Sequence, residues 1–225
     1  MIKISSYPAS KENYGGTRSL SNIKYIVLHY TANDGDTAMS NAKYFASGSR
    51  GASAHYFVDS KNIVQSVKDN FVAWAVGGNK YNDVAKTGGG KFYGKCTNSN
   101  SLSIEICDDI KNNAIYPTEA TINNVVELVR TLMKKYNINI SNVIRHFDVT
   151  GKKCPMYWCG DSQKNAIWIS IKNRIVEEEK VVNGKLKSVD AINKGNYTYI
   201  KIRDLSDILN IEYDKETKLI TLKVK

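Results

Sequence analysis

Three histidines and four cysteines occur in the chain, and three of these seven residues stand where metal chemistry could be assembled. His29 follows the apolar run Tyr25-Ile-Val-Leu28 and His146 follows Val143-Ile-Arg145, so each is expected at the end of a strand. A single histidine in such a place is more often structural, and neither argues for chemistry alone. The spacing His146-x7-Cys154 changes the reading, because it keeps two metal-type donors on one loop. His29, on a separate strand, would complete three protein ligands and leave the fourth tetrahedral position to water. Three protein donors describe a catalytic zinc, whereas a structural zinc takes four. The spacing is neither that of a zinc finger nor that of an HExxH helix.

Positioning these donors requires a framework, and the hydropathy pattern supplies one. Residues 24–28 form a short β-branched and aromatic run that predicts a buried strand ending at His29, followed by a loop over Tyr30–Gly35. Asp36 is the expected N-cap of a helix reaching about Ala46. Ser53–Asp59 and Ile63–Val67 predict a hairpin turned by residues 60–62. A long stretch with Gly77, Gly78, Gly88, Gly89, Gly90 and Gly94 then predicts a loop bordering a substrate groove, since loops of this length are usually functional. Ser101–Cys107 alternates polar and apolar residues like a strand. Helical spacing runs from Thr118 to about Tyr136 through Val125, Val126, Leu128, Val129, Leu132 and Met133. A strand at 142–145 precedes the His146 loop, and a last amphipathic helix over about 162–176 carries Ile167, Trp168, Ile171 and Ile175 on one face. Strands and helices interleave, which predicts an α/β fold with a central mixed β-sheet flanked by helices. The charged run Glu177–Lys180 has nothing to bury. It divides residues 1–176, the catalytic region, from a small α+β module at 181–225 through a linker at 177–180.

Composition narrows the class. A hydrophobic fraction of 42 % and charged fraction of 24 % describe a globular protein without low-complexity runs. Nothing approaches the roughly 18 apolar residues of a membrane span, and the N-terminus lacks the apolar segment of a signal peptide, so the chain is expected to be made in the cytoplasm. The same context argues against a disulfide framework for Cys96, Cys107, Cys154 and Cys159. The net charge of +10 favours an anionic polymer as partner: nucleic acid, membrane surface or anionic cell wall. The basic residues are spread along the chain without a recognised reading motif, so specific nucleic-acid binding is not expected.

Four segments in order, Val27-Leu-His-Tyr-Thr-Ala32, Ser53-Ala-His-Tyr-Phe-Val58, Ser101-Leu-Ser-Ile-Glu-Ile106 and Arg145-His-Phe-Asp-Val-Thr-Gly-Lys-Lys-Cys-Pro155, resemble the signature segments of the type-2 zinc N-acetylmuramoyl-L-alanine amidases. These are relatives of phage lysozyme-like amidases and of peptidoglycan recognition proteins. The resemblance covers roughly residues 20 to 175, and four ordered matches are far more specific than one. It implies that His29, His146 and Cys154 hold Zn2+, that Glu105 is the proton carrier, and that Lys152 stabilises the oxyanion. A glutamate on a solvent-facing side of the strand would give the same alternation as Glu105, and Lys152 has Lys153 as a neighbour. His55 is read as a hydrogen-bonded residue near the metal shell, Tyr30 and Tyr56 as packing or groove residues, and Trp74 and Trp158 as groove or core residues. The implied reaction is hydrolysis of the amide between the lactyl group of N-acetylmuramic acid and the L-alanine of the stem peptide, as in a phage endolysin or autolysin acting on Gram-positive peptidoglycan after release from the cell.

From Val181 onward, the order Val182-Asn-Gly-Lys185, Tyr197–Leu205, Ile208-Leu209 and Tyr213–Leu222 resembles the small module named after the copper amine oxidase N-terminal domain. It has no histidine or cysteine, so copper is not expected. Its size is near the lower limit for independent folding, which predicts packing on the amidase or pairing into a homodimer. Lys and Arg outnumber Asp and Glu in it, consistent with attachment to an anionic wall polymer. The rival reading is a peptidoglycan-binding protein without catalysis, as in family members that lack the cysteine ligand. Cys154 speaks against it.

Overall fold

The computed structural model describes residues 3–176 and, as backbone, the strands at 191–194, 197–200, 209–213 and 220–224. Two compact units divide the chain, Met1–Glu177 and Glu178–Lys225. In the first, the elements run β1 (Ile4–Ser6), β2 (Tyr14–Thr17), β3 (Tyr25–Asp34), α1 (Ala38–Ala46), β4 (Tyr56–Val58), β5 (Ile63–Gln65), β6 (Phe71–Ala73), α2 (Val84–Thr87), β7 (Ser101–Asp108), α3 (Glu119–Tyr136), β8 (Val143–Arg145), α4 (His146–Thr150) and α5 (Ser162–Val176). Six strands form a mixed sheet in the order β1-β5-β4-β7-β3-β8, in which only β4 and β5 are antiparallel neighbours. Strands β2 and β6 pair separately.

Side chains alternate across a strand, so the sheet has two distinct faces. Ile26 and Leu28 of β3, Tyr56 and Val58 of β4, and Leu102, Ile104 and Ile106 of β7 enter one core with Val125, Leu128, Val129 and Leu132 of α3 and Trp168, Ile171 and Ile175 of α5. Each such side chain contributes on the order of 1.5–3 kcal/mol by leaving water. The other face is covered in two places with a gap between them. At one side α1 packs Ala38 and Ala42 against Phe57, Val64 and Cys107. At the other, Val76, Cys96 and Val149 cover Val27 and Ile144.

The helix α3 starts as its sequence predicts: the Thr118 hydroxyl accepts the Thr121 N–H at 3.1 Å, and Asn137 ends it in the left-handed region. Two boundaries and one helix face differ from expectation. Strand β3 does not stop at His29 but continues to Asp34, with Ala32 at φ 58° and an irregular register after Tyr30. Helix α1 is capped by Thr37, whose Oγ1 accepts the Ser40 N–H at 3.1 Å, because Asp36 is engaged elsewhere: its carboxylate takes the Asp108 N–H at 3.0 Å and the Asn41 amide at 2.6 Å. On α5 the buried stripe is Trp168, Ile171 and Ile175, with Ile167 outside it and 37 % exposed.

The glycine-rich stretch is not free loop. It forms α2 and then runs along α4, with Gly90 N–H on the Phe147 carbonyl at 3.0 Å and Phe92 N–H on that of Asp148 at 2.9 Å. Gly89 is required there, since a Cβ would stand 2.8 Å from the Gly151 Cα.

In the second unit, β9 (Ala191–Lys194) pairs antiparallel with β10 (Tyr197–Ile200), and β11 (Leu209–Tyr213) with β12 (Ile220–Val224). The expected linker at 177–180, the strand at 182–185 and the helical step after Leu205 lie outside the described residues. Among the described residues no helix is long and apolar enough to cross a membrane.

Candidate metal centre and active site

One row of residues crosses three strands on the second face of the sheet. His29 of β3 and Phe57 of β4 are both register partners of Glu105 on β7. Leu28 pairs with Arg145, so His146, the next residue, begins α4 beside His29. The imidazole centroids of His29 and His146 are 4.7 Å apart. After α4 the chain turns back at Gly151, in the left-handed region at φ 86°, and the Phe147 N–H binds the Cys154 carbonyl at 2.9 Å. This brings Cys154 Sγ to 3.8 Å from His29 Nδ1. One donor atom from each of His29, His146 and Cys154 lies within 4.8 Å of the other two, and all three residues are buried.

The electrostatics suit a bound cation. Burial, reinforced by His146, Lys152 and His55, holds His29 well below the ordinary histidine range, and burial with Lys152 pushes His146 down to about 4. Both rings are therefore neutral at pH 7, the form that ligates metal. Burial raises the Cys154 thiol and Glu105 adds to this, while the Tyr30 N–H and Lys152 pull it down; a cation at the triad would deprotonate it outright. Among the described residues His29 Nε2 and both His146 ring nitrogens are buried without a hydrogen-bond partner. Buried polar atoms left so are rare, and a two-imidazole, one-thiolate set in this state fits a tetrahedral divalent ion with one open position.

Glu105 shares the groove. Its Oε2 is buried and unpartnered among the described residues, and burial raises the carboxyl to about 8, with Lys152 opposing and Asp36 assisting. It does not sit on a solvent-facing strand surface. Glu105 and Lys152 line a groove of about 640 Å³ together with Tyr30, Asp36, Asn41, Tyr44 and Phe57. The glycine-rich stretch, expected to border this groove, instead lines a separate depression of about 460 Å³ with Trp74 and Tyr93. The α1 wall of the groove was not legible in the sequence: Asn41 and Tyr44 carry no motif and gain their place only by where α1 docks.

His55 is outside the donor cluster. It is fully buried, its Nδ1 accepting the Ser103 N–H at 3.0 Å and its Nε2 lying 2.8 Å from Arg18 Nη2 and 3.2 Å from the Phe71 carbonyl. Tyr56 donates to Asp69 at 2.6 Å, and Trp158 is core rather than groove. Cys96, Cys107 and Cys159 are free and buried.

The sequence profile of the Amidase_2 family, N-acetylmuramoyl-L-alanine amidase, matches residues 19–157. That is more than half of the chain and spans the whole donor cluster. The chain belongs to this family. N-acetylmuramoyl-L-alanine amidase CwlL of Bacillus licheniformis is 34 % identical over 150 residues, which are 64 % of this chain and 39 % of CwlL. The chain thus spans about two fifths of the length of that relative. The solved catalytic domain of XlyA superposes with a TM-score of 0.58 at 27 % identity, covering 77 % of this chain and 99 % of that domain. A mutant endolysin from Bacillus subtilis gives 0.59 at 29 %, covering 78 % and 99 %. Nearly the whole of each of these two solved chains is therefore matched by about three quarters of this one.

Proposed function

We propose that the protein is a zinc-dependent N-acetylmuramoyl-L-alanine amidase that hydrolyses peptidoglycan, with His29, His146 and Cys154 as metal ligands, Glu105 as proton carrier and Lys152 as oxyanion stabiliser. The observation that carries this reading is the cluster of three buried, mutually adjacent N, N and S donors, one of which, His29, is the register partner of the groove residue Glu105. When bound, the ion supplies a Lewis acid for the scissile carbonyl and an acidified water, of pKa near about 7. Tyr30 N–H donates to Cys154 Sγ and favours the thiolate. Burial raises the Glu105 carboxyl to about 8, and Lys152 and a bound cation would draw it back towards the carboxylate, the form in which Glu105 can take a proton from the attacking water and then return it to the leaving amine. Lys152 lines the same groove, and its ammonium can stabilise the negative charge that grows on the carbonyl oxygen.

Membership in the amidase family and the likeness to endolysin structures support a wall amide as substrate and a phage-type endolysin or autolysin as the setting, acting after release from the cytoplasm. Residues 181–225, whose sequence resembles the copper amine oxidase N-terminal-like module, are proposed to hold the enzyme to an anionic wall polymer or to pair two copies. Truncation after Glu178 is expected to weaken sedimentation with purified walls while leaving hydrolysis of soluble muropeptides intact.

The deciding experiment measures amino groups freed from purified Gram-positive peptidoglycan, with and without a zinc chelator, for the native chain and Cys154→Ser. Chelator-sensitive release that falls to background in Cys154→Ser is the expected outcome. New reducing sugar ends, or wall binding without cleavage, would overturn the amidase reading.

A further inference from the structure

The donors His146 and Cys154 lie on one short segment, and one residue outside the donor set joins its start to the chain just beyond it. Arg145 is the last residue of β8 and the N-cap of α4, and it is a buried charge, 6 % exposed. Its backbone N–H and its Nε both donate to Asp148 Oδ2, at 2.8 and 3.0 Å, and Nη2 donates to Asp148 Oδ1 at 2.7 Å. Its Nη1 donates to the Trp158 carbonyl, four residues beyond Cys154, and to Asn165 Oδ1 of α5 at 2.8 Å. The guanidinium lies over the rings of Phe147, at 5.0 Å, and Trp168, at 5.4 Å.

We propose that Arg145 is a positioning residue for the metal centre, fixing the placement of His146 relative to Cys154 through a guanidinium that joins the first turn of α4 to the chain beyond the cysteine and to α5. This rests on the metal reading of the preceding subsection. Backbone bonds also hold the segment: Phe147 N–H reaches the Cys154 carbonyl at 2.9 Å, and Gly151 N–H reaches the Phe147 carbonyl at 2.9 Å. These bonds set distances along the backbone. The Arg145 fork adds a fixed orientation, because its donors lie in one plane and three separate acceptors hold that plane. Asp148 is served by the same arrangement: it caps α4 through the Arg145 N–H and neutralises the guanidinium, so the pair is buried with its charges matched. A lysine carries the same charge on one point and cannot meet a bidentate carboxylate, a carbonyl and an amide in these directions. Residues that orient ligands in this indirect way typically change metal affinity about 10–100-fold when altered.

The test uses the full chain. Zinc dissociation constants are measured by chelator competition, and cobalt is titrated to read the thiolate-to-metal absorption band, for wild type, Arg145→Lys, Asn165→Ala and Leu132→Ala, each with a thermal melt of the metal-free form. Arg145→Lys is expected to bind zinc about 10–100-fold more weakly and to show a shifted or weakened cobalt–thiolate band. Asn165→Ala, which removes one brace of the guanidinium, is expected to lose less in the same direction. Leu132→Ala, on the core-facing side of α3, is expected to melt earlier with unchanged metal affinity. If Arg145→Lys does not fold, Asn165→Ala decides, and an affinity equal to wild type overturns the proposal. A folded Arg145→Lys with wild-type affinity and spectrum also overturns it, as does an equal loss of affinity in Leu132→Ala, which would mark the effect as general destabilisation. Failure of the wild type itself to take up either ion would instead overturn the metal reading.

Discussion

The two faces of the six-stranded sheet are built from alternate residues of the same strands, yet they are completed differently. Toward α3 and α5, β7 presents Leu102, Ile104 and Ile106 to a continuous apolar core. Toward α1 and the glycine-rich stretch, the same strand presents Ser103, Glu105 and Cys107, and the covering elements leave a groove at Glu105. The first face is an apolar core, although Tyr157 Oη and Trp158 Nε1 are buried in it without a hydrogen-bond partner among the described residues. The other buries polar atoms that the described residues do not satisfy, at His29, His146 and Glu105. A face that holds unsatisfied buried groups costs stability and is retained where those groups have work to do on a ligand.

If this division is sound, substitutions should separate rate from stability according to the face they touch. The largest effect is expected from Glu105→Gln: kcat on peptidoglycan should fall about 10²–10⁴-fold, with zinc content by metal analysis and the thermal midpoint close to wild type. Loss of zinc or of folding together with rate would erase the distinction. Lys152→Met should lower kcat about 10²–10³-fold, more than it raises KM, because the ammonium acts on charge that develops during the reaction. A KM effect alone would make Lys152 a binding residue. On the core face, Leu28→Ala should cost about 2–5 kcal/mol in denaturant unfolding while kcat at low temperature stays near wild type. Equal damage to kcat would mean that the faces are mechanically coupled.

The smallest effect concerns pH. His55, buried beside the Arg18 guanidinium, is held down to about 3, so in the folded protein it stays neutral where an unfolded chain takes up a proton below about 6.5. The unfolded state therefore gains protons first, and stability is expected to fall as pH drops from about 6.5 towards 3. Melts of the metal-free protein between pH 7 and pH 4 should show that decline, and His55→Gln should make it shallower. An unchanged slope would remove His55 from the account.

Much of the fold is legible locally. The period and cap of α3 and the hairpin of β4 and β5 follow from residue order, because short-range sterics and capping bonds set them. The misread boundaries are those decided by partners distant in sequence. Strand β3 continues past His29 because β7 lies beside it, and Asp36 gives up the cap of α1 because the Asp108 N–H reaches it first. The glycine-rich stretch reads as free loop until the match of Gly89 with Gly151 is seen, and no one-dimensional pattern carries that match. Ile167 differs from Trp168 only in which side of α5 meets the core.

The sequence by itself determined the donor chemistry: two histidines and a cysteine at spacings that suit three ligands, a glutamate on a β-strand, and alternation that assigns the faces. These are properties of residue type and period, and they survive without coordinates. Only the tertiary structure decided that Glu105 stands in register with His29, that the groove wall is α1 rather than the glycine-rich stretch, and that Arg145 reaches the Trp158 carbonyl and Asn165. Those facts depend on strand order and on how helices dock. They arise from contacts between residues tens of positions apart, whose geometry is fixed by packing and not by local preference.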